Sequence, residues 1–284
     1  MSATAEKIMA RELDTRPLEP FGVEITGLDI ATAPEADLLG FAAACRSNAV
    51  VVIRKQTLTP PQLLALAGRL GHVSPQRRTG PHPDYPGISV LSNKVANGKP
   101  IGVRDAGRAW HTDGTTYPTL GLTTILYGIE CPPEGADTEI ADTAAAFATL
   151  PPTRQAELAT VKLIHNRAHL IRKYNRAALS AEELATMPDI VHPVVVKSPL
   201  DGRKALFVTN GSTKGVVGMD AKEGEALVTD LIAYASQPRF VYKHKWQDGD
   251  VLIWNDMCTL HRATPYDEAK YERLVHRVWI RPLS

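Results

Sequence analysis

Short apolar runs separated by turn residues set the pattern of this chain. Residues 48–54 (NAVVVIR) are rich in β-branched side chains and read as a strand. Residues 87–91, 122–129, 204–208, 239–244, 251–254 and 274–280 read the same way. Helical signals are inserted between them. Thr59-Pro60-Pro61 opens a helix to about Leu70, with Thr as N-cap and Pro in the first turn. Asp142 and Thr143 cap a short helix, residues 152–158 form another, and Ser180-Ala181-Glu182-Glu183 is a capping box for a third. Residues 220–223 cap a helix in which Ala226, Leu227, Leu231 and Tyr234 recur at helical spacing. Residues 17–21 and 77–86 are loops by their Pro, Gly and polar content. Many short strands without regular strand–helix alternation predict a mainly β chain with helical insertions, a jelly roll rather than a doubly wound parallel sheet.

Composition narrows the class without naming a chemistry. The 284 residues are 44% hydrophobic and 22% charged, as expected for one globular domain spanning 1–284. The net charge of +1 offers no broad electrostatic case for nucleic acid or a membrane surface. No apolar run approaches the roughly 20 residues of a membrane span. The segment 1–11 lacks the apolar core of a signal peptide. Cys45, Cys131 and Cys258 are scattered and odd in number, which points to buried thiols in a reducing cytoplasm rather than a disulfide framework or a structural zinc site.

The candidate chemistry lies in Trp110-His111-Thr112-Asp113 and Thr259-Leu260-His261-Arg262. On an extended strand His111 and Asp113 leave on one side and can converge on one ion. His261 follows a strand and a turn at Asn255-Asp256 and supplies a second imidazole. Two His and one carboxylate form the facial ligand set of a non-haem iron(II) site, which leaves three coordination positions open. A structural zinc site is instead closed by four ligands. A lone HxD arises often by chance, and a single His is more commonly a core or surface residue, so the surroundings decide. His72, His82, His165, His169, His192, His244 and His276 lack a comparable frame. His165 and His169 have i,i+4 spacing but no Glu between them.

Further motifs accompany the triad in order. They are Gly71-His72, the block 110–116, Pro132-Pro133-Glu134-Gly135-Ala136-Asp137-Thr138, the segment 202–208, Trp254-Asn255-Asp256 through Thr264, and His276-Arg277. Together they resemble the taurine dioxygenase / phenoxyacetate dioxygenase family of iron(II)- and 2-oxoglutarate-dependent oxygenases, over nearly the whole chain. The resemblance implies a double-stranded β-helix (jelly roll) with iron held by His111, Asp113 and His261. It implies that Arg277 forms a salt bridge to the distal carboxylate of 2-oxoglutarate and that Thr138 donates its hydroxyl to it. Arg273 matches another basic family position near the co-substrate. The always-charged, planar guanidinium suits such a carboxylate, and burying Arg277 unpaired in the apolar stretch 274–280 is costly.

The implied reaction consumes dioxygen and 2-oxoglutarate, releases succinate and carbon dioxide, and hydroxylates a C–H bond of a small molecule. Where the hydroxylated carbon bears a heteroatom, the product breaks at the C–O, C–N or C–S bond. Family substrates are commonly small anions such as sulfonates or aryloxy acids, so Arg77, Arg78, Arg104 and Arg108, ahead of the HxD motif, are candidate clamps. His72, Tyr117 and Ser212 are further pocket candidates. By analogy a homodimer or homotetramer is expected. The chain departs from the family in Gly135-Ala136-Asp137-Thr138 (usually Gly-Gly-Asp-Thr), in residues 74–78, which lack the His and Tyr of taurine-type members, and at Ser212, where those members place an aromatic. The fold and iron chemistry carry over; taurine as substrate does not. Two other classes share the ligands: a zinc hydrolase or lyase with an activated water, and a non-catalytic jelly-roll binding protein.

Overall fold

The β-branched run at 48–54 becomes the strand Val50–Ile53, buried along its whole length. Its alternating side chains serve two cores. Val51 and Ile53 join a cluster with Phe41, Leu63, Leu66, Ile125, Ile253 and Val278, under the helices Glu35–Ser47 and Pro60–Gly68. Val50 and Val52 face the other way, toward Leu126, Ile140, Trp246, Leu252, Trp254 and Val275. The computed structural model that shows this describes residues 8–75, 80–104, 107–174, 178–198 and 201–281.

Val50–Ile53 sits inside an eight-stranded sheet. The strand order is Thr15–Pro17, Val23–Ile25, Val50–Ile53, Val251–Asn255, Thr123–Glu130, Leu274–Arg281 and His72–Val73, with Ile88–Ser92 also paired to Leu274–Arg281. Val23–Ile25 pairs parallel to Val50–Ile53, and the remaining pairs are antiparallel. Long antiparallel connections between strands distant in sequence fit the mainly β expectation. A second sheet has the order Val241–His244, Thr138–Asp142, Thr259–Ala263. Ile140 of this sheet packs with Val50, Val52 and Leu252 of the large one, so the two sheets face each other across a shared core. A third sheet (Ile190–Pro193, Lys162–His165, Thr213–Val216) and the helix Ala221–Ala235 build a separate cluster around Leu163, Val216, Val228 and Leu231.

Several expectations shift on contact with the structure. Residues 239–240 belong to a short 3-10 turn, Pro238–Phe240, because Pro238 favours a turn start, and the strand begins at Val241. The strand expected at 204–208 ends at Leu206. The helix opened by Thr59 ends at Gly68 and carries the full capping box with Gln62. The helix Glu35–Ser47 was not expected: its N-cap is Pro34, which makes no side-chain cap bond, and Gly40 interrupts its pattern. Gly40 has a packing reason, since a Cβ there would come within 2.1 Å of the Arg11 carbonyl. No described helix is long and apolar enough to cross a membrane.

Candidate metal centre

His111, Asp113 and His261 meet between the two sheets, with one ligand atom from each lying within 4.8 Å of the others. His261 stands on the strand Thr259–Ala263 and is buried. His111 and Asp113 do not lie on a regular strand, as the spacing alone suggests. His111 instead makes a single antiparallel bridge to His261, with His111 N donating to His261 O at 3.1 Å and His261 N to His111 O at 2.7 Å. Gly107 and Gly114 bracket this bridge at positive φ, and the Gly107 carbonyl accepts from Ala263 N at 2.8 Å. The i,i+2 logic survives over this short extended piece. Thr112 turns away and donates to the Asp256 carbonyl at 2.5 Å, while its two neighbours face the site.

The donor set fits a divalent ion. The His111 Nδ1 lies 2.8 Å from the Ala109 carbonyl. A carbonyl only accepts, so Nδ1 carries the proton and the Nε2 lone pair is left for a metal. Burial, reinforced by His111 and by the Arg277 charge, holds the His261 imidazole well below its ordinary range and therefore neutral. The Nε2 of His261 is 3.8 Å from Asp113 Oδ2. Two imidazoles and one carboxylate suit iron(II), which binds N and O donors and keeps positions open for other ligands.

Two residues hold these ligands from behind. The Trp279 indole N–H donates to Asp113 Oδ2 at 3.0 Å. Asp256, fully buried, accepts from Trp254 Nε1 at 3.0 Å, from Thr124 Oγ1 at 2.7 Å and from the Asp113 backbone N–H at 3.4 Å. Its Oδ1 is also 3.7 Å from His261 Nδ1. Burial and the adjacent Asp113 charge push the Asp256 carboxyl well above the usual carboxylate range. Neither residue was read in the sequence as holding a ligand, although Asp256 falls within the motif Trp254-Asn255-Asp256. An indole in an apolar strand reads as core, and an Asp after Asn255 reads as turn.

The two arginines expected at the co-substrate occupy different surroundings. Arg273 is 8% exposed and enters no ion pair among the described residues. Its neighbours are Tyr266 and Cys131, and burial pushes its guanidinium below the ordinary range. Cys131 packs against Trp246, whose indole N–H donates to Thr138 Oγ1 at 3.0 Å. Arg273 is thus connected to Thr138 through Cys131 and Trp246. Arg277 is on the metal side: its charge reaches His261, and its guanidinium stacks 4.2 Å over the Trp279 ring that holds Asp113.

A pocket opens beside Asp113. It is lined by Gly114, Tyr117, Leu120, Leu122, Phe207 and Arg281, and it encloses about 10 Å³. Arg281 stacks 4.3 Å over the Tyr117 ring, and the Tyr117 carbonyl accepts from His192 Nε2 at 2.9 Å. Of the expected pocket residues, Tyr117 lines this hollow. His72 is exposed at the sheet edge, in register with Arg281 but outside this lining. Ser212 is buried and committed to Thr115 at 2.7 Å and to His165 at 3.1 Å. Arg104 and Arg108 both pair with Glu268. Arg77 and Arg78 lie outside the described residues. Arg281 and Phe207 were missed. An alternation signal was available for Arg281, which follows Arg277 and Trp279 at i+2 steps along the same strand.

Comparison with known proteins finds similar chains. The family model described as taurine catabolism dioxygenase TauD, TfdA family, matches residues 14–279. The chain is 30% identical over 232 residues to an alpha-ketoglutarate-dependent 2,4-dichlorophenoxyacetate dioxygenase of Burkholderia sp. (strain RASC), covering 78% of this chain and 77% of the relative. It is 28% identical over 281 residues to pentalenolactone F synthase of Streptomyces arenae, covering 94% and 93%. Among solved structures, AAD-2 in complex with Mn(II) and N-oxalylglycine superposes with a TM-score of 0.82 at 25% identity, covering 95% of this chain and 99% of that one.

Proposed function

The chain belongs to the taurine catabolism dioxygenase TauD, TfdA family and is a non-haem iron(II), 2-oxoglutarate-dependent dioxygenase; from that premise we propose that it hydroxylates a C–H bond of a small organic anion. The observation that carries the anion is Arg281, stacked on Tyr117 in the wall of the pocket that reaches Asp113. A guanidinium fixed by an aromatic face is a preformed receptor for a carboxylate or sulfonate. Phe207, Leu120 and Leu122 supply apolar wall for the organic body. Relatives named for aryloxy acids take substrates of this type.

His111, Asp113 and His261 hold the iron in this reading. Iron, when bound with dioxygen and 2-oxoglutarate, supplies the redox chemistry that couples oxidative decarboxylation to hydroxylation, releasing succinate and carbon dioxide. The protein's own part is placement. Thr138 and Arg273 take the distal carboxylate of 2-oxoglutarate, because Arg273 is the buried guanidinium that needs an anion. Arg277, expected at that carboxylate from the resemblance, takes a place beside the metal ligands and faces the substrate. N-oxalylglycine, bound in the AAD-2 structure, is an isostere of 2-oxoglutarate and matches such a two-ended site. A zinc hydrolase leaves Thr138 and Arg273 without a role and is not the reading adopted.

The two facing sheets fit a double-stranded β-helix, formed by residues 1–284 as one domain acting in a homodimer or homotetramer. The three unbridged cysteines suit a cytoplasmic setting. The test is a substrate panel read by 2-oxoglutarate-dependent succinate formation. Sulfonates, aryloxy acids, alkyl sulfates and amino-acid derivatives are each paired with a neutral amide or ester. Turnover of an anion but not its neutral partner supports the proposal; turnover of the neutral partners alone overturns it.

A further inference from the structure

We infer that Trp246 is a positioning residue for the co-substrate, acting through Thr138: its indole N–H fixes the direction in which the Thr138 hydroxyl donates. The inference rests on the reading that Thr138 meets the distal carboxylate of 2-oxoglutarate.

A threonine hydroxyl has one hydrogen and two acceptor lone pairs, and an indole nitrogen can only donate. The contact of 3.0 Å between Trp246 Nε1 and Thr138 Oγ1 therefore has one polarity, with Thr138 as acceptor. The hydroxyl hydrogen is excluded from that direction and is available to a second acceptor. A carboxylate accepts only, so the hydroxyl is set up for that ligand. Without the indole, the hydroxyl rotor could spend its hydrogen elsewhere, and ordering it on binding would oppose affinity.

Both partners are held rigidly. Thr138 begins the middle strand of its sheet, in register with His244 on one side and Ala263 on the other, and is 3% exposed. Trp246 is 6% exposed and meets His244 edge to face at 4.5 Å and 84°. His244 is fixed in turn by the Tyr242 hydroxyl at 3.1 Å, its Nε2 lies 3.2 Å from Asp250, and Arg54 anchors Asp250 at 2.5 Å. On the opposite side the indole lies against the backbone of Gly128. A Cβ at Gly128 would come within 2.8 Å of Trp246 Cε3 and 2.7 Å of Cys131 Sγ, so glycine is required for the indole to lie so close. Cys131 is also a neighbour of the Arg273 guanidinium. One indole thus links the two groups assigned to the same carboxylate.

The test measures binding of N-oxalylglycine to the Mn(II)-loaded protein by calorimetry, in wild type, Thr138→Val, Trp246→Phe and the double variant. The loss of one directed hydrogen bond to a carboxylate is expected to weaken binding about tenfold. The inference predicts that loss in Thr138→Val, a similar loss in Trp246→Phe, and no further loss in the double variant. If Thr138→Val weakens binding and Trp246→Phe does not, the inference is wrong and the co-substrate reading stands. If Thr138→Val leaves binding unchanged, the reading beneath it fails as well. A Trp246→Phe effect of the same size with or without the Thr138 hydroxyl marks a packing role and also overturns the inference. Should Trp246→Phe not fold, 3-benzothienylalanine at position 246 keeps the indole shape without the N–H and is read in the same way.

Discussion

The Trp279 indole N–H donates to the Asp113 carboxylate at 3.0 Å, across 166 residues of sequence. The bond fixes the orientation of the anionic metal ligand and ties it to the strand that carries Arg277 and Arg281. Removing a hydrogen bond that orients a metal ligand typically costs 10- to 100-fold in affinity. Trp279→Phe is therefore expected to weaken Mn(II) binding by about that factor, measured by titration, with the thermal transition near that of wild type. Unchanged affinity would mean that Asp113 is oriented by the Asp256 contact alone.

Arg273 and Arg277 are expected to separate by ligand. A charge-assisted hydrogen bond contributes roughly 1.5–3 kcal/mol, or about 10- to 100-fold in affinity. Arg273→Met should raise the KM for 2-oxoglutarate by about that factor. Arg277→Met should act chiefly on the KM of the oxidised substrate and on its coupling to succinate formation. The reverse pattern would restore the assignment that the resemblance suggests.

These two arginines also show how far the sequence reaches. His111, Asp113 and His261 were legible because residue type and spacing suggest a metal site and the accompanying motifs single it out, and the structure brings the three together. Thr59, Ser180 and Asp220 were legible as caps because capping is local. Which guanidinium lies deeper was not, since it depends on the register shift between Leu274 and Val275 and on what packs across the sheet. The strands Thr138–Asp142 and Thr259–Ala263 are five residues each and carry little periodic signal, yet they place Thr138 and His261. Trp246, Trp279 and Asp256 contact partners that lie 108, 166 and 143 residues away, so even where a motif includes one of them, as it does Asp256, nothing local shows what it holds.

At the pocket wall, Arg281→Gln keeps a polar side chain and removes the charge. The KM for an anionic substrate should rise at least about tenfold, while 2-oxoglutarate affinity stays unchanged. Equal kinetics would remove Arg281 from substrate binding and leave Arg277 as the nearest alternative cation.

Acid sensitivity should come from buried imidazoles outside the metal centre. Burial, reinforced by His192, lowers His165 from 6.5 to about 3, and burial with His82 lowers His276 to about 4. Both are neutral in the folded and unfolded chain above about pH 6.5, so their full contribution is present there. Below that, the unfolded chain takes up protons that the folded chain refuses, and stability falls as pH drops from 6.5 toward 3–4. Urea midpoints at pH 7.5 and 5.0 should show this loss, and His165→Gln should reduce the difference between them. An identical pH difference in the variant would assign the acid sensitivity to other groups.

The most direct test of the central claim is the visible spectrum of the anaerobic protein with iron(II) and 2-oxoglutarate. Wild type should show a weak charge-transfer band that requires both additions, and His111→Ala should lack it while remaining folded. Absence of the band in wild type, or its persistence in His111→Ala, would contradict the assignment of His111, Asp113 and His261 as the iron site.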